Sequence, residues 1–469
     1  MGLLQIFAVI LASVQYELLL FALFGLLIGG ADDFLMDLLF LARAARREFF
    51  VYSRHRRMTA STLPDSSHPG TLAIFVPAWR EAEVIGAMLT TSLARWRRGS
   101  FRIFVGCYPN DPGTIDAVAA VAEADPRVRL VILPHAGGTT KADCLNHIWA
   151  AMRREEEDLG HRFKGIILHD AEDVVHPDEI RLFDIMTDRF DMVQLPVKPL
   201  ISVKSTWISG HYADEFAEAH GKFLVLREAV GAAVPSAGVG CCFSRAVLGA
   251  IAASRDDAPF DAESLTEDYE IGLRIAEQGG RTVFVTMRDE MGGLICTQEH
   301  FPETLGEAVR QKARWFVGIS LAGWDRLGWR GSLRECWMRL HDRRTGLSAI
   351  VLFAAYLATL GYGLQLALSL LGITAMPQFP PAVDAALLCT GFLMIWRLLF
   401  RFVWTARAYG LKQGLCAVPR VVVGNIVAMM AARRAVGLYL RHLRGGTVVW
   451  EKTQHRFPLF GNHDGRQPA

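Results

Sequence analysis

The chain has 469 residues, a net charge of +2 and 51% hydrophobic residues, with a mean hydropathy of +0.23. That charge makes no case for nucleic-acid binding, and the hydropathy is high for a soluble enzyme, fitting a polar middle between apolar ends. Eight cysteines without a CxxC pair or zinc-like spacing read as reduced thiols in a cytosolic compartment.

The first apolar run covers residues 3–41, broken by Glu17, Asp32, Asp33 and Asp37. It is too long for a signal-peptide core and has no basic leader or small-residue cleavage site. Residues 16–30 are expected to form the heart of one spanning helix, with 31–41 continuing near the interface. Arg43, Arg46, Arg47, Arg54, Arg56 and Arg57 follow, which places that side in the cytoplasm and the N-terminus outside. The expected division is therefore a transmembrane helix and interfacial extension over 1–42, then a basic linker over 43–70.

From 71 to about 297 the pattern alternates between short β-branched runs and segments with helical spacing. Strands are expected at 71–76, 101–107, 128–133, 165–168, 191–195 and 282–285, and helices at 81–96, 114–124 and 141–154. Such alternation implies an α/β domain, 71–300, with a mostly parallel sheet covered on both faces. Ligands of such sheets bind beyond the carboxyl ends of the strands, where the polar clusters lie. Residues 301–345 are expected to form interfacial helices and 346–404 two spanning helices, built on the apolar runs 347–373 and 383–403. The link between those runs, 374–382, is uncharged, whereas basic residues flank their other ends, so the central region and C-terminus share the cytoplasmic side. A further apolar stretch, 414–432, contains Arg420 and Asn425. Its basic flanks suit an amphipathic surface helix within 405–469, with a fourth span as the alternative.

Three clusters carry chemistry. His169-Asp170-Ala171-Glu172-Asp173 follows a short buried strand. Carboxylates there suit a hard divalent cation, although an acidic turn or helix cap explains them equally. Thr266-Glu267-Asp268 offers a general base for a hydroxyl, against the reading of a plain helix start. Gln311, Arg314 and Trp315 fall on one helix face. They offer an amide, a guanidinium for a diphosphate and an indole for a sugar, while an interfacial helix also favours Arg and Trp. Gly137-Gly-Thr-Thr-Lys141 lacks the ending of a P-loop.

Taken in order, these segments resemble family 2 glycosyltransferases. Val76-Pro77-Ala78-Trp79-Arg80-Glu81 resembles the opening of that family, and Lys141-Ala-Asp-Cys-Leu-Asn146 its Lys and Leu-Asn segment near the nucleotide. Asp170-Ala-Glu172 sits where the family has Asp-x-Asp, Thr266-Glu267-Asp268 matches its base motif, and Gln311 to Trp315 matches the Gln-x-x-Arg-Trp of polymerising members. Gly30-Ala-Asp-Asp-Phe34 and Trp450-Glu-Lys-Thr-Gln-His455 are similar to an inner-membrane subgroup linked to a surface polysaccharide that phages use as a receptor. Longer members of that subgroup carry a C-terminal regulatory domain, which this length is expected to be too short to hold.

The resemblance implies a GT-A-like fold and an inverting transfer from a nucleotide-diphosphate sugar, with a UDP-sugar favoured. It implies Mg or Mn on Asp170 and Glu172, with Asp173 sharing the task because Glu172 departs from the usual Asp. Asp268 is the implied base beside Glu267. Pro77, Ala78, Trp79, Glu81, Lys141, Asn146 and Asp170 would bind the nucleotide sugar, joined by Asp111 where the family's Asp-Asp-Gly-Ser is altered. Gln311, Arg314, Trp315, Gly238 and Gly240 would serve the acceptor and diphosphate, with a plain turn the competing role for the two glycines. His169, Glu299 and His300 are expected to be structural. The expected partners are a glycan or lipid-linked acceptor, the membrane, and export or outer-membrane proteins. Three readings compete: a polysaccharide synthase, single-sugar transfer to a lipid carrier, and a non-catalytic receptor or scaffold on a transferase fold. Gln-x-x-Arg-Trp favours the first, and the intact acidic clusters oppose the last.

Overall fold

The computed structural model describes residues 3–444 together with Phe457, so the Trp450–His455 segment lies outside the described residues. The first apolar run forms one helix, α1 (Leu3–Arg47), which runs through 31–41 and on past it. Nothing in its sequence breaks it, and two of its glycines, Gly25 and Gly30, serve packing. A side chain at Gly25 would strike Val351, and one at Gly30 would touch Leu393. Small residues at those points let helix backbones approach closely. The linker is strapped down: Arg181 donates to the carbonyl of Leu63 at 2.8 Å, and Asp188 accepts from Ser66 at 2.9 Å.

The sheet unit then follows the expected alternation: β1 (Thr71–Pro77), α2 (Ile85–Arg95), β2 (Ser100–Cys107), α3 (Pro112–Ala124), β3 (Val128–Ile132), α4 (Lys141–Leu159) and β4 (Gly165–Leu168). It continues with α5 (Glu179–Met186), β5 (Met192–Gln194), β6 (Val197–Leu200), α6 (Ile208–Glu218), α7 (Leu224–Ala229), β7 (Cys241–Ser244), α8 (Arg245–Ala253), α9 (Glu267–Glu277), β8 (Thr282–Phe284) and β9 (Thr297–His300). Seven strands form one sheet in the order β3-β2-β1-β4-β7-β5-β8. All run parallel except β7, which is antiparallel to β4 and β5. β6 and β9 form a separate parallel pair. Along β1, Leu72, Ile74 and Val76 enter one core, and Ala73 and Phe75 enter the other. A strand buried on both faces reads as a continuous apolar run, which is why β1 was legible. The expected strands do not include β6, β7 and β9: β6 holds Lys198 and Pro199, β9 reads Thr-Gln-Glu-His, and all three are paired with segments distant in the chain.

α10 (Leu305–Phe316), α11 (Ala322–Leu327) and α12 (Leu333–Arg343) lead to α13 (Thr345–Leu370), α14 (Pro381–Tyr409) and α15 (Leu411–Leu443). α1, α13, α14 and α15 are each long and apolar enough to cross a membrane. α15 runs unbroken through Pro419 and packs along α10 and α6 as well as α13 and α14. Its Arg420 is buried, with Nη2 2.9 Å from Asp214 on α6. A five-residue π-helical turn, Val317–Leu321, continues α10. Such turns are frequent at functional sites, and here Gly318 lies so close to Thr266 that a Cβ would meet its Oγ1 at 2.4 Å. The helix with the Gln-x-x-Arg-Trp motif thus abuts the loop that enters α9.

Candidate active site

One cavity opens at the carboxyl edge of the sheet. Pro77 and Glu81 from the end of β1, Lys141 from α4, and Asp170 with Glu172 from the turn after β4 line one side. Glu267 and Asp268 at the start of α9, Glu299 of β9, and Gln311, Arg314 and Trp315 of α10 line the other. Three clusters far apart in the chain, at 170–172, 267–268 and 311–315, therefore share one space.

The turn after β4 is held from below. His169 is fully buried between Asp173 (Nδ1–Oδ2, 2.7 Å) and Glu179 (Nε2–Oε1, 2.5 Å). Burial works against its charge, but Glu179 and Asp173 raise the imidazole to about 10. Asp173 also accepts from the backbone N–H of Asp170 at 3.1 Å. Its carboxylate is thus turned inward under the loop and does not line the cavity, which corrects the expectation that it shares a metal. The buried cation beneath it supplies the reason, since Asp173 is half of an ion pair already.

Lys141 is the first residue of α4, placed by Thr140, whose hydroxyl accepts from the N–H of Asp143. Its Nζ lies 2.6 Å from Asp170 Oδ1 and 3.4 Å from the carbonyl of Gly238. Burial disfavours its charge, yet Asp170, Glu267 and Asp268 raise it above the ordinary lysine value. Thr266 is the residue before α9, so these three residues do start a helix, but its side chain makes no capping bond. Instead Ser264 donates to Glu270 at 2.6 Å, and Arg326 Nε of α11 donates to the same carboxylate at 2.8 Å, pinning the loop. Burial and then Asp268 push Glu267 up to about 7. Burial also raises Asp268, while Lys141 draws it back. Gly238 (φ +79°) and Gly240 (φ +56°) are in left-handed backbone. A Cβ at Gly238 would meet Asp268 Oδ2 at 2.3 Å, and one at Gly240 would meet Thr297 Oγ1 at the same distance. Both positions require glycine for conformation and space.

On α10, Trp315 stands among Tyr212, Phe216 and Phe301, with ring centroids 6.1 to 6.3 Å away. The Oε1 of Gln311 is buried without a hydrogen bond, an acceptor held at the cavity at a cost of about 1–3 kcal/mol. Lys312 faces elsewhere and pairs with Glu215 at 2.7 Å.

Four residues expected at the nucleotide do not line this cavity. Ala78 is buried and donates to the carbonyl of Gly106 at 2.8 Å. Trp79 packs edge-on to Tyr108, with centroids 5.0 Å apart. Asp111 precedes α3 and accepts the N–H of Arg80 at 2.5 Å. Asn146 is bonded in both directions to the backbone of Phe260, at 2.8 and 3.0 Å. Conversely, Glu299 was read as structural but faces the cavity. Burial, together with Asp173, Glu172 and Asp170, holds it well above the ordinary carboxylate range. Only the β6–β9 pairing brings it there, and no local pattern signals that pairing.

The sheet order, the acidic turn beyond β4 and the carboxylates of α9 define a GT-A-like transferase fold. Residues 69–318 match the family described as Glycosyltransferase like family 2. The chain belongs to this family. Over 454 residues, 92% of the chain, it is 39% identical to bacteriophage adsorption protein B of Escherichia coli (strain K12), and equally to bacteriophage N4 adsorption protein B of Escherichia coli O157:H7. It spans 60% of the length of these curated relatives. Among solved structures it is similar to the mannosyltransferase PcManGT from Pyrobaculum calidifontis in complex with GDP-Man and Mn2+, at 17% identity and a TM-score of 0.46, covering 89% of this chain and 99% of that one. It is also similar to S. aureus TarS 1-349 in complex with UDP-GlcNAc, at 12% identity and a TM-score of 0.35, covering 76% and 92%. Likenesses this remote carry no information about substrate.

Proposed function

We propose that this chain is an inverting transferase of the bacterial inner membrane that uses a nucleotide-diphosphate sugar, favoured to be a UDP-sugar, to extend a surface or exported polysaccharide. The observation that carries the reading is the single cavity uniting the Asp170 turn, Asp268 and the Gln311–Trp315 face. The acceptor hydroxyl attacks the anomeric carbon and gives its proton to Asp268. The bond from that carbon to the diphosphate breaks, and the nucleoside diphosphate leaves. Burial holds Asp268 above the ordinary carboxylate value, which suits a general base. Arg314 receives the departing diphosphate and Lys141 the nucleotide, while Trp315 and its aromatic neighbours bed the sugar.

The residues fit a divalent cation. Asp170, Glu172 and Glu299 present oxygen donors to one cavity, the donor type that Mg and Mn prefer. They would hold the ion, which when bound supplies charge stabilisation to the leaving diphosphate.

The basic flanks of the spans place the sheet unit in the cytoplasm and the N-terminus outside. In this arrangement α15 lies along the cytoplasmic surface, a reading supported by its packing on α6 and α10 and by the buried Arg420–Asp214 pair. An exported product calls for export or outer-membrane partners. The test is release of nucleoside diphosphate by detergent-purified protein offered UDP-, GDP- and dTDP-sugars with Mg or Mn, beside Asp268→Asn, with products sized. Metal-dependent turnover of one donor that yields long products bears the proposal out, and short products point to single addition to a lipid carrier. Absence of both turnover and donor binding overturns it.

A further inference from the structure

Outside the cavity, His135, Asp143 and His147 converge on one point, half-buried beside the loop that follows β3. Asp143 and His147 are one turn apart on α4, and His135 arrives from the loop. His135 Nε2 lies 3.2 Å from His147 Nε2 and 3.4 Å from Asp143 Oδ2, and His147 Nε2 lies 3.8 Å from Asp143 Oδ1. Zinc binds nitrogen and oxygen at about 2.0–2.1 Å, so neighbouring ligands of a tetrahedral site stand about 3.4 Å apart. The separations of His135 Nε2 from His147 Nε2 and from Asp143 Oδ2 lie close to that edge, while His147 Nε2 faces the other carboxylate oxygen, Oδ1.

The surroundings complete the case. Nδ1 of His135 faces the carbonyl of Ala136 at 3.3 Å. A carbonyl only accepts, so Nδ1 carries the proton and Nε2 presents its lone pair. Thr139 donates to Asp143 Oδ2 at 2.7 Å, the outer bond that orients a ligating carboxylate. No lysine or arginine pairs with Asp143 among the described residues. The other close trio, Asp32, Asp33 and His341, differs on this point: Arg344 and Arg397 already neutralise it.

The geometry points to a zinc-class transition-metal site formed by His135 Nε2, His147 Nε2 and Asp143, with one coordination position open to solvent. Bound there, the ion clips the β3–α4 loop to α4. That loop lays Gly137 against Trp79 so closely that a Cβ would sit 2.3 Å from the ring, and its Thr139 bonds Tyr108 at 2.8 Å. The clip therefore stiffens the wall that leads into Lys141.

The experiment uses the full chain in detergent, stripped by a chelator and titrated with Zn2+ against a chromophoric chelator, with retained metal counted by mass spectrometry. Relative to wild type, His147→Ala loses one equivalent. His147→Cys, which replaces one zinc ligand by another, keeps it, and so does Glu172→Gln in the catalytic cavity. Zinc raises the Tm of wild type and His147→Cys but not of His147→Ala, which separates a lost site from a misfolded variant. Wild type that retains no zinc, or His147→Ala that retains as much with unchanged affinity, overturns the site. So does an equivalent lost only in Glu172→Gln, which puts the metal in the catalytic cavity instead.

Discussion

Two acid-rich regions use the same side chains to different ends. Where the catalytic unit meets the membrane helices, Asp32, Asp33, Asp37 and Glu218 each have a cation among Lys222, Arg344, Arg397 and Arg401. Among the described residues that line the cavity, Glu81, Asp170, Glu172, Glu267, Asp268 and Glu299 stand beside two cations, Lys141 and Arg314. The first set is balanced and holds parts together. The second carries surplus negative charge, which the fold maintains at a cost that a cation would relieve. Buried carboxylates raised by burial and by one another mark functional sites for that reason.

Four substitutions test that contrast. Asp268→Asn is expected to lower transfer by about 10²–10⁴-fold, as loss of a general base does, with no fall in Tm. Nucleoside diphosphate release and a melting curve measure the two together, and retained turnover would remove Asp268 from its role. Lys222→Met acts on the balanced region. Its side chain is fully buried between Asp37 and Glu218, and removing one partner of such a group costs about 3–5 kcal/mol. A large drop in folded yield and Tm is expected, whereas a near-neutral result would show the junction to be solvated. Gly238→Ala forces a side chain into left-handed backbone against Asp268, a strain of about 1–3 kcal/mol. Turnover should fall with donor binding largely retained, as read by kcat against KM.

The smallest effect is in pH. Burial raises Asp268 above its ordinary value, so transfer should fall as pH drops through that raised value and the base takes up a proton. Lys141 draws Asp268 down, and Lys141→Met should therefore move that limb to higher pH. An unmoved limb would mean that another group controls it. For stability the sign reverses. Folded Glu267 holds a proton that the unfolded chain releases above its ordinary 4.5, so stability falls as pH rises from there through about 7.

The sequence by itself determined what is local and periodic. Runs such as 71–76 and 165–168 announced buried strands, the spacing of Gln311, Arg314 and Trp315 announced one helix face, and the apolar runs with basic flanks announced spanning helices. Each is written into neighbouring residues, because strand and helix geometry repeat every two or 3.6 residues. The tertiary structure alone decided which carboxylates share the cavity. It turned Asp173 down onto His169, engaged Asn146 with Phe260, and left Asp111 at the start of α3. It inserted β7 against the direction of its neighbours and carried Glu299 into the cavity on β9. It made α1 one helix and seated α15 on the catalytic unit. These outcomes depend on pairings between distant segments, whose free energy lies in packing and charge balance that no short window contains.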